Sequence, residues 1–303
     1  MDDRAKYLIV LVGPTAIGKT KTAIALSQAV NGCIISADSR QIYKELSIGT
    51  AKPNPSEIKA GNIKLVDFKS VRDSYTAGNY EKDALLSINQ AYEHGSTPIL
   101  SGGTGLYIKA VCEGLDLIPQ VPIEISQLIE KALKDNKTRV LVDFERADPI
   151  SFSSVDKAND RRLIRMLGVM HLTGKPFSSF IDQPKIPRPF KPIYLKLERP
   201  REELYDRINA RVLHMIDTGL VEEVISVLPF RHMRSLNTVG YSEVFKYLDG
   251  DYDLSRTIEL IQQNTRRYAK RQLTWFRNQM DAHPFHPNDI EAIKKYILPK
   301  ISL

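Results

Sequence analysis

Hydrophobic and polar positions alternate between two grammars in the first third of the chain. Residues 7–12, YLIVLV, form a short uninterrupted apolar run of the kind a buried strand requires. After the glycine-rich stretch GPTAIGKT, the apolar positions Ile17, Ala23, Ile24, Leu26 and Val30 predict a helix over about residues 18–30. CIIS at 33–36 reads as a second short strand, and PILSGGTGLYIKAV at 98–111 repeats the order of strand, glycine turn and helix. Strands alternating with helices in this way imply a parallel sheet covered on both faces.

The pattern changes between about 117 and 190. An amphipathic stretch at 123–134, the acidic turn ERADP, a basic helix near 157–172 and the proline-rich QPKIPRPFKP follow one another. KPIYLKLE then returns to strand-like alternation, and REELYDRINARVLHMIDTGLVEEVISVL is helical with a break at Gly219. A loop containing NTVGY precedes a last long helix over roughly 253–280. The expected architecture is α/β: a P-loop NTPase-like parallel sheet core flanked by helices, from residues 1–118 and 190–303, with a helical insertion at 119–189.

At 303 residues, 42% of them hydrophobic, the chain has the material for a substantial core. No window approaches the roughly 20 apolar residues of a membrane span, and MDDRAKY lacks a signal-peptide layout, so no membrane partner and a cytoplasmic location are expected. Cys33 and Cys112, each in an apolar stretch, suit reduced core positions. The six histidines form no HExxH or cysteine-paired pattern, which argues against transition-metal chemistry. A net charge of +7, with basic residues standing out in NDRRLIR at 159–165 and NTRRYAKRQLTWFR at 264–277, suggests an anionic partner, although a basic helix taken alone is usually just a solvated face.

GPTAIGKT fits GxxxxGK[ST], in which successive backbone N–H groups at a helix N-terminus make a nest for phosphate oxygens. The diphosphate-binding set is therefore Gly13, Pro14, Thr15, Ala16, Ile17, Gly18, Lys19 and Thr20, with Lys19 as a point charge and Thr20 as the ligand of Mg²⁺. Such a loop recognises oxygen on phosphorus and is silent about what the diphosphate carries. The chain has no NKxD-like guanine reader and no obvious Walker B acid.

ISADSRQIY places Asp38 just beyond the second strand, beside the phosphate loop. Asp38 can serve either as a cap of the following turn or as a carboxylate that takes a proton or holds Mg²⁺ through water. In SGGTGLY, Gly102, Gly103 and Gly105 permit close backbone approach, and the Thr104 hydroxyl can donate to a phosphate oxygen; an ordinary tight turn with a capping threonine is the alternative.

GPTAIGKT, ADSRQIY, GTAKP and GGTGLY in this order, with TRRYAKRQLTWFR near the end, closely resemble the bacterial tRNA dimethylallyltransferases over nearly the whole chain. The resemblance implies transfer of a five-carbon prenyl group from dimethylallyl diphosphate to N6 of adenine 37 in the tRNA anticodon stem-loop, with Mg²⁺ as cofactor and a monomeric enzyme. It implies catalytic roles for Asp38 as base, Thr104, Lys19 and Arg207, and diphosphate contacts from Arg201 and Arg211 in REELYDRINAR. For each of these arginines a salt bridge to Glu202, Glu203 or Asp206 is the alternative. The implied tRNA contacts are Asp38, Ser39, Arg40, Gln41, Thr104, Ser126, Arg161, Arg162, Leu163, Arg165, Gly240 and Tyr241, with Gln41 as a reader of base edges. Trp275 and Phe276 read as core rather than stacking platforms.

The chain departs from the family's pattern at Ser126, Asn237 and Ser242, where basic residues are usual, at Gly168, where a glutamate is usual, and near GNIKLVD, where histidines are missing. These departures bear on tRNA affinity or substrate choice. The rival functions are an adenylate prenyltransferase using free AMP, a small-molecule kinase, and a non-catalytic tRNA-binding protein. The insertion and basic closing helix argue against the first, the lack of a lid arginine pattern against the second, and intact Lys19, Thr20, Asp38 and Thr104 against the third.

Overall fold

The computed structural model describes residues 6–301. Two compact units divide the chain: one runs to Glu113 and resumes at Arg188, and the other is Gly114–Pro187.

The larger unit is built on a parallel sheet in the order β3-β2-β4-β1-β5-β6. Its strands are β1 (Tyr7–Val12), β2 (Gly32–Ala37), β3 (Ile63–Lys64), β4 (Thr97–Gly102), β5 (Lys191–Leu197) and β6 (His283–Phe285). β1 lies between β4 and β5, with Ile9 opposite both Ile99 and Ile193. The two-residue period of the strand sorts its side chains: Ile9 and Leu11 join one hydrophobic cluster, while Leu8, Val10 and Val12 join another. Because all are fully buried, the strand reads as a continuous apolar run rather than as an alternation.

Helices α1 (Lys19–Ala29), α2 (Pro55–Gly61), α3 (Ala77–Glu93) and α4 (Gly105–Glu113) lie in the first segment of this unit. The strand–turn–helix grammar places α1 and α4, but α2, β3 and α3 lie in a stretch for which it predicts nothing. Asn54 and Thr76 start α2 and α3 with reciprocal caps, each accepting from the backbone N–H three residues on. The final segment carries α8 (Arg201–Asp217), α9 (Leu220–Ser226), α10 (Tyr241–Leu248), α11 (Leu254–Gln279) and α12 (Ile290–Ile301). α11 matches the expected last long helix, yet β6 and α12 follow it and extend the sheet and its cover.

The smaller unit contains α5 (Ile123–Ala147), α6 (Pro149–Ser154) and α7 (Asp160–Thr173) around Leu133, Phe144, Leu163 and Val169. α5 is longer than its amphipathic first half suggests and breaks at Asn136, whose side chain accepts from Arg139 N–H at 3.0 Å and restarts the helix. Gly168 fits the packing of this unit: a Cβ there would lie 2.7 Å from Val121 Cγ1, so no glutamate can occupy the position without rearrangement. None of the helices among the described residues is long and apolar enough to cross a membrane.

Candidate active site

The carboxyl ends of β1, β2 and β4 open into a cavity of about 740 Å³. Its lining contains Lys19, Lys21, Arg40, Arg207, Arg211 and Arg271 against the carboxylates of Asp38, Glu57 and Glu243. Val212, Met215, Val239 and Ile261 supply an apolar wall.

The phosphate loop forms the floor. Ala16 and Gly18 take left-handed backbone conformations, φ 63° and 114°, that bend the chain from β1 into α1. Lys19 Nζ donates to the carbonyls of Gly13 at 2.9 Å and Pro14 at 2.7 Å. Burial lowers its pKa from 10.5 to about 8, against the Asp38 carboxylate, which raises it, and with Arg211, which lowers it further. Thr15 departs from the simple nest: its N–H points away to Gln272 Oε1, 2.8 Å distant.

α8 brings Arg207 and Arg211 to the same cavity one turn apart. Arg207 Nε donates to the Ala16 carbonyl at 2.9 Å, which ties the helix to the loop. Burial depresses the Arg211 pKa, and Arg207 adds to the effect. Two guanidiniums and an ammonium converge here with Asp38 as the acid that couples to Lys19, an arrangement that gains from a bound polyanion. Arg201 does not belong to this group. It lines a separate cavity of about 360 Å³ with its guanidinium over the Tyr205 ring, because the spacing from residue 201 to Arg207 leaves the two side chains about 120° apart around the helix.

Asp38 lines the cavity and also caps its own turn, so the two readings of this residue are compatible. Its Oδ1 accepts from the N–H groups of Arg40 at 2.9 Å and Gln41 at 3.3 Å. Thr104 is bound to the same loop: its Oγ1 accepts from Ser39 N–H at 3.0 Å, and its N–H donates to the Ala37 carbonyl at 3.0 Å. Arg40 donates to the carbonyls of Ser235 and Asn237 at 2.9 and 3.3 Å, and the Gln41 amide nitrogen donates to those of Thr50 and Ala51, both at 3.1 Å. The donor end of Gln41 is thus committed to the protein.

The remaining expected tRNA contacts divide by exposure. Gly240 lines the cavity, but Tyr241 is fully buried and its hydroxyl donates to Glu223, which leaves its side chain unavailable to RNA. The ring fills the space over Gly49, where a Cβ would come within 2.5 Å of it. In the smaller unit Arg161 and Arg162 are exposed on α7, Arg165 is half-buried with Nη2 donating to the Ile118 carbonyl at 3.3 Å, and Leu163 is a core residue with no exposed surface. The Ser126 hydroxyl donates back to the Pro122 carbonyl at 3.1 Å. Asn237 and Ser242 both line the cavity of the larger unit.

Three residues with no assigned role in the sequence hold the site together. Glu223 accepts from the N–H groups of Ser47, Ile48 and Gly49 at 2.7–3.0 Å and so fixes the loop whose Thr50 and Ala51 line the cavity. Glu243 binds Gly240 N–H at 2.8 Å and the Asn264 amide at 2.7 Å, joining the NTVGY loop to α11. Gln272 joins the two glycine turns through Thr15 and Gly103. Only the last carried any signal, through its place in AKRQLTWFR. Tyr268, 36% exposed, adds an aromatic to the cavity wall.

Mg²⁺ commonly keeps several waters and is held by few protein oxygens together with substrate phosphates. The Thr20 hydroxyl and the Asp38 carboxylate share the cavity, which suits an ion delivered with a diphosphate. Among the described residues no three His, Cys, Asp or Glu side chains gather into a protein-only metal cage.

A family model described as IPP transferase matches residues 41–279. The tRNA dimethylallyltransferase 1 of Bacteroides thetaiotaomicron is 42% identical over 291 residues, covering 96% of this chain and 94% of the relative. That of Phocaeicola vulgatus is 43% identical over 291 residues, covering 96% and 97%. The crystal structure of the full-length tRNA isopentenylpyrophosphate transferase of Bacillus halodurans superposes with a TM-score of 0.73 at 33% identity, over 98% of this chain and 97% of that one. A eukaryotic dimethylallyltransferase described acting on tRNA gives a TM-score of 0.81 over 98% of this chain and 77% of that one; at 23% identity the likeness is one of fold.

Proposed function

The chain belongs to the IPP transferase family, and from that premise we propose that it transfers a dimethylallyl group from dimethylallyl diphosphate to N6 of adenine 37 in the tRNA anticodon loop, releasing diphosphate. The single observation that carries this reading is the meeting of Lys19, Arg207 and Arg211 with Asp38 in one cavity.

Each group has a task in that reaction. An allylic carbon tolerates positive charge, so the main demand is stabilisation of the departing diphosphate, which the loop amides, Lys19, Arg207 and Arg211 meet in a partly desolvated site. The bond from the allylic carbon to oxygen breaks with its electron pair leaving on diphosphate. The bond from N6 to that carbon forms, and Asp38 takes the N6 proton. Thr20 would hold Mg²⁺ beside the phosphates, where the ion would supply charge neutralisation. Thr104, whose hydroxyl accepts from Ser39 N–H at 3.0 Å and donates to Ser39 Oγ at 3.3 Å, does not line the cavity and would serve the reaction by holding the loop that carries Asp38. The apolar wall of Val212, Met215, Val239 and Ile261 suits a five-carbon tail.

A single-stranded anticodon loop presents an adenine that leaves its stack at low cost. Exposed Arg161 and Arg162 on α7 would hold the RNA backbone. The enzyme would act as a monomer in the cytoplasm, where its RNA substrate resides. Incubation with labelled dimethylallyl diphosphate, Mg²⁺ and anticodon stem-loops bearing adenine or guanine at position 37 tests the proposal. Label is expected with adenine only; equal label with guanine, or none with either, would refute it.

A further inference from the structure

Gln272 lies in the second half of α11 among buried neighbours, Ala269 and Phe276, and is itself only 7% exposed. Burying a primary amide is unfavourable unless both of its ends find partners, whereas an aliphatic side chain would fill the same space without that demand. Both ends are satisfied here. The Oε1 accepts from Thr15 N–H at 2.8 Å, and the Nε2 donates to the Gly103 carbonyl at 2.9 Å. One partner offers only a donor and the other only an acceptor, so a single orientation of the amide serves both.

The connection continues beyond Gly103. The next residue, Thr104, donates to the Ala37 carbonyl and accepts from Ser39 N–H, and these two residues flank Asp38. A run of bonded groups thus leads from the phosphate loop through Gln272 and the second glycine turn to the acid's own loop. The same contact explains the glycine at 103, because a Cβ at that position would lie 2.3 Å from Gln272 Nε2.

We propose that Gln272 is a positioning residue for prenyl transfer, whose amide holds the diphosphate cradle in register with the loop that carries Asp38. This rests on the function proposed above. Gln272 borders the cavity, but both polar ends of its amide are taken up by the protein, so its part is to set the distance and angle between the departing group and the base.

The full-length protein is compared with Gln272→Leu and with Gly103→Ala, which displaces the amide while leaving residue 272 in place. If one substitution prevents folding, the other carries the same readouts. With inorganic diphosphate and Mg²⁺ as the probe, hydrogen exchange in the unaltered protein is expected to slow together in residues 13–20, 38–41 and 101–104, whereas in either variant only 13–20 responds. Equal protection of all three segments in the variants would overturn the proposal. This readout involves no prenyl transfer, so its failure is distinguishable from failure of the functional reading.

In turnover, Gln272→Leu is expected to lower kcat about 10²-fold, the scale of a misplacement near 1 Å, with the donor KM almost unchanged. The loss should nearly vanish in an Asp38→Ala background, since the positioned loop then carries no base. An undiminished loss in that background, or one confined to donor KM, would assign Gln272 to the cradle alone and overturn the proposal.

Discussion

The turns after β1 and β4 share an order of strand, glycines and helix, but their glycines serve different ends. In the first turn Gly18 has φ 114° and open space around it: a Cβ there would meet nothing closer than 3.5 Å. Its role is conformational. In the second turn none of the three glycines has a positive φ; instead a Cβ at Gly102 would meet the Ala37 carbonyl oxygen at 2.1 Å, one at Gly103 the Gln272 amide at 2.3 Å, and one at Gly105 the Trp275 ring at 2.3 Å. Close approach is what these glycines allow, as the sequence suggests, but the approaching groups are parts of the protein. One turn faces the cavity with its backbone bent, and the other is clamped by its neighbours so that Thr104 and the Asp38 loop stay in place.

Under the proposed function, that contrast makes the loop carrying Asp38 the sensitive point of the reaction. Asp38→Asn keeps an oxygen to accept from Arg40 and Gln41, so the turn survives while the proton acceptor is lost. The kcat is expected to fall by about 10³-fold, within the usual range for a general base, with little change in diphosphate binding. Parallel losses in both, measured by single-turnover kinetics and calorimetry, would make Asp38 a structural or metal-holding group instead.

The two turns should also differ in stability. Gly102→Ala forces a carbon against backbone that cannot give way, and a loss of about 3 kcal/mol is expected from denaturant unfolding. Gly18→Ala meets no close neighbour and should cost only about 1 kcal/mol, for its left-handed backbone. Equal losses would erase the distinction between a turn that needs conformation and one that needs space.

On the ligand side of the comparison, Lys19 gives a pH dependence. Its pKa near 8 means that the free enzyme loses the ammonium as pH rises through that value. Diphosphate favours the protonated form, so the affinity ratio of the unaltered protein to Lys19→Met, in which the ligand's own protonation cancels, should be constant below about pH 8 and fall above it, approaching tenfold per pH unit. Calorimetric titration of both proteins with diphosphate at several pH values measures it, and a ratio that rises above pH 8 would contradict the assignment. The smallest effect belongs to Arg162→Ala on exposed α7: a few-fold weaker tRNA binding and a salt slope shallower by about one. An unchanged slope would remove that contact.

The parts of the site written as local pattern were legible in the sequence. The phosphate loop, the acid after β2, the second glycine turn and the long basic helix all sit next to short apolar runs that fix their elements. Harder to see were β3 and β6, of two and three residues, which are too short to carry a period. α3 has Tyr80, Ala84, Ile88 and Ala91 at helical spacing, but no chemistry drew attention to it. Exposure of individual motif residues was equally hidden: Leu163 and Tyr241 turn into cores formed by residues distant in sequence, and Arg201 falls on a different side of α8 from Arg211. Glu223, Glu243 and Gln272 act on groups between 21 and 257 positions away or on turns beside them, and no spacing rule reveals such partners.

The most direct measurement supplies labelled dimethylallyl diphosphate and Mg²⁺ to the protein with tRNA and AMP together in one mixture. The account predicts label in tRNA and none in AMP. Label in AMP alone would contradict it and reassign the cavity to a free nucleotide.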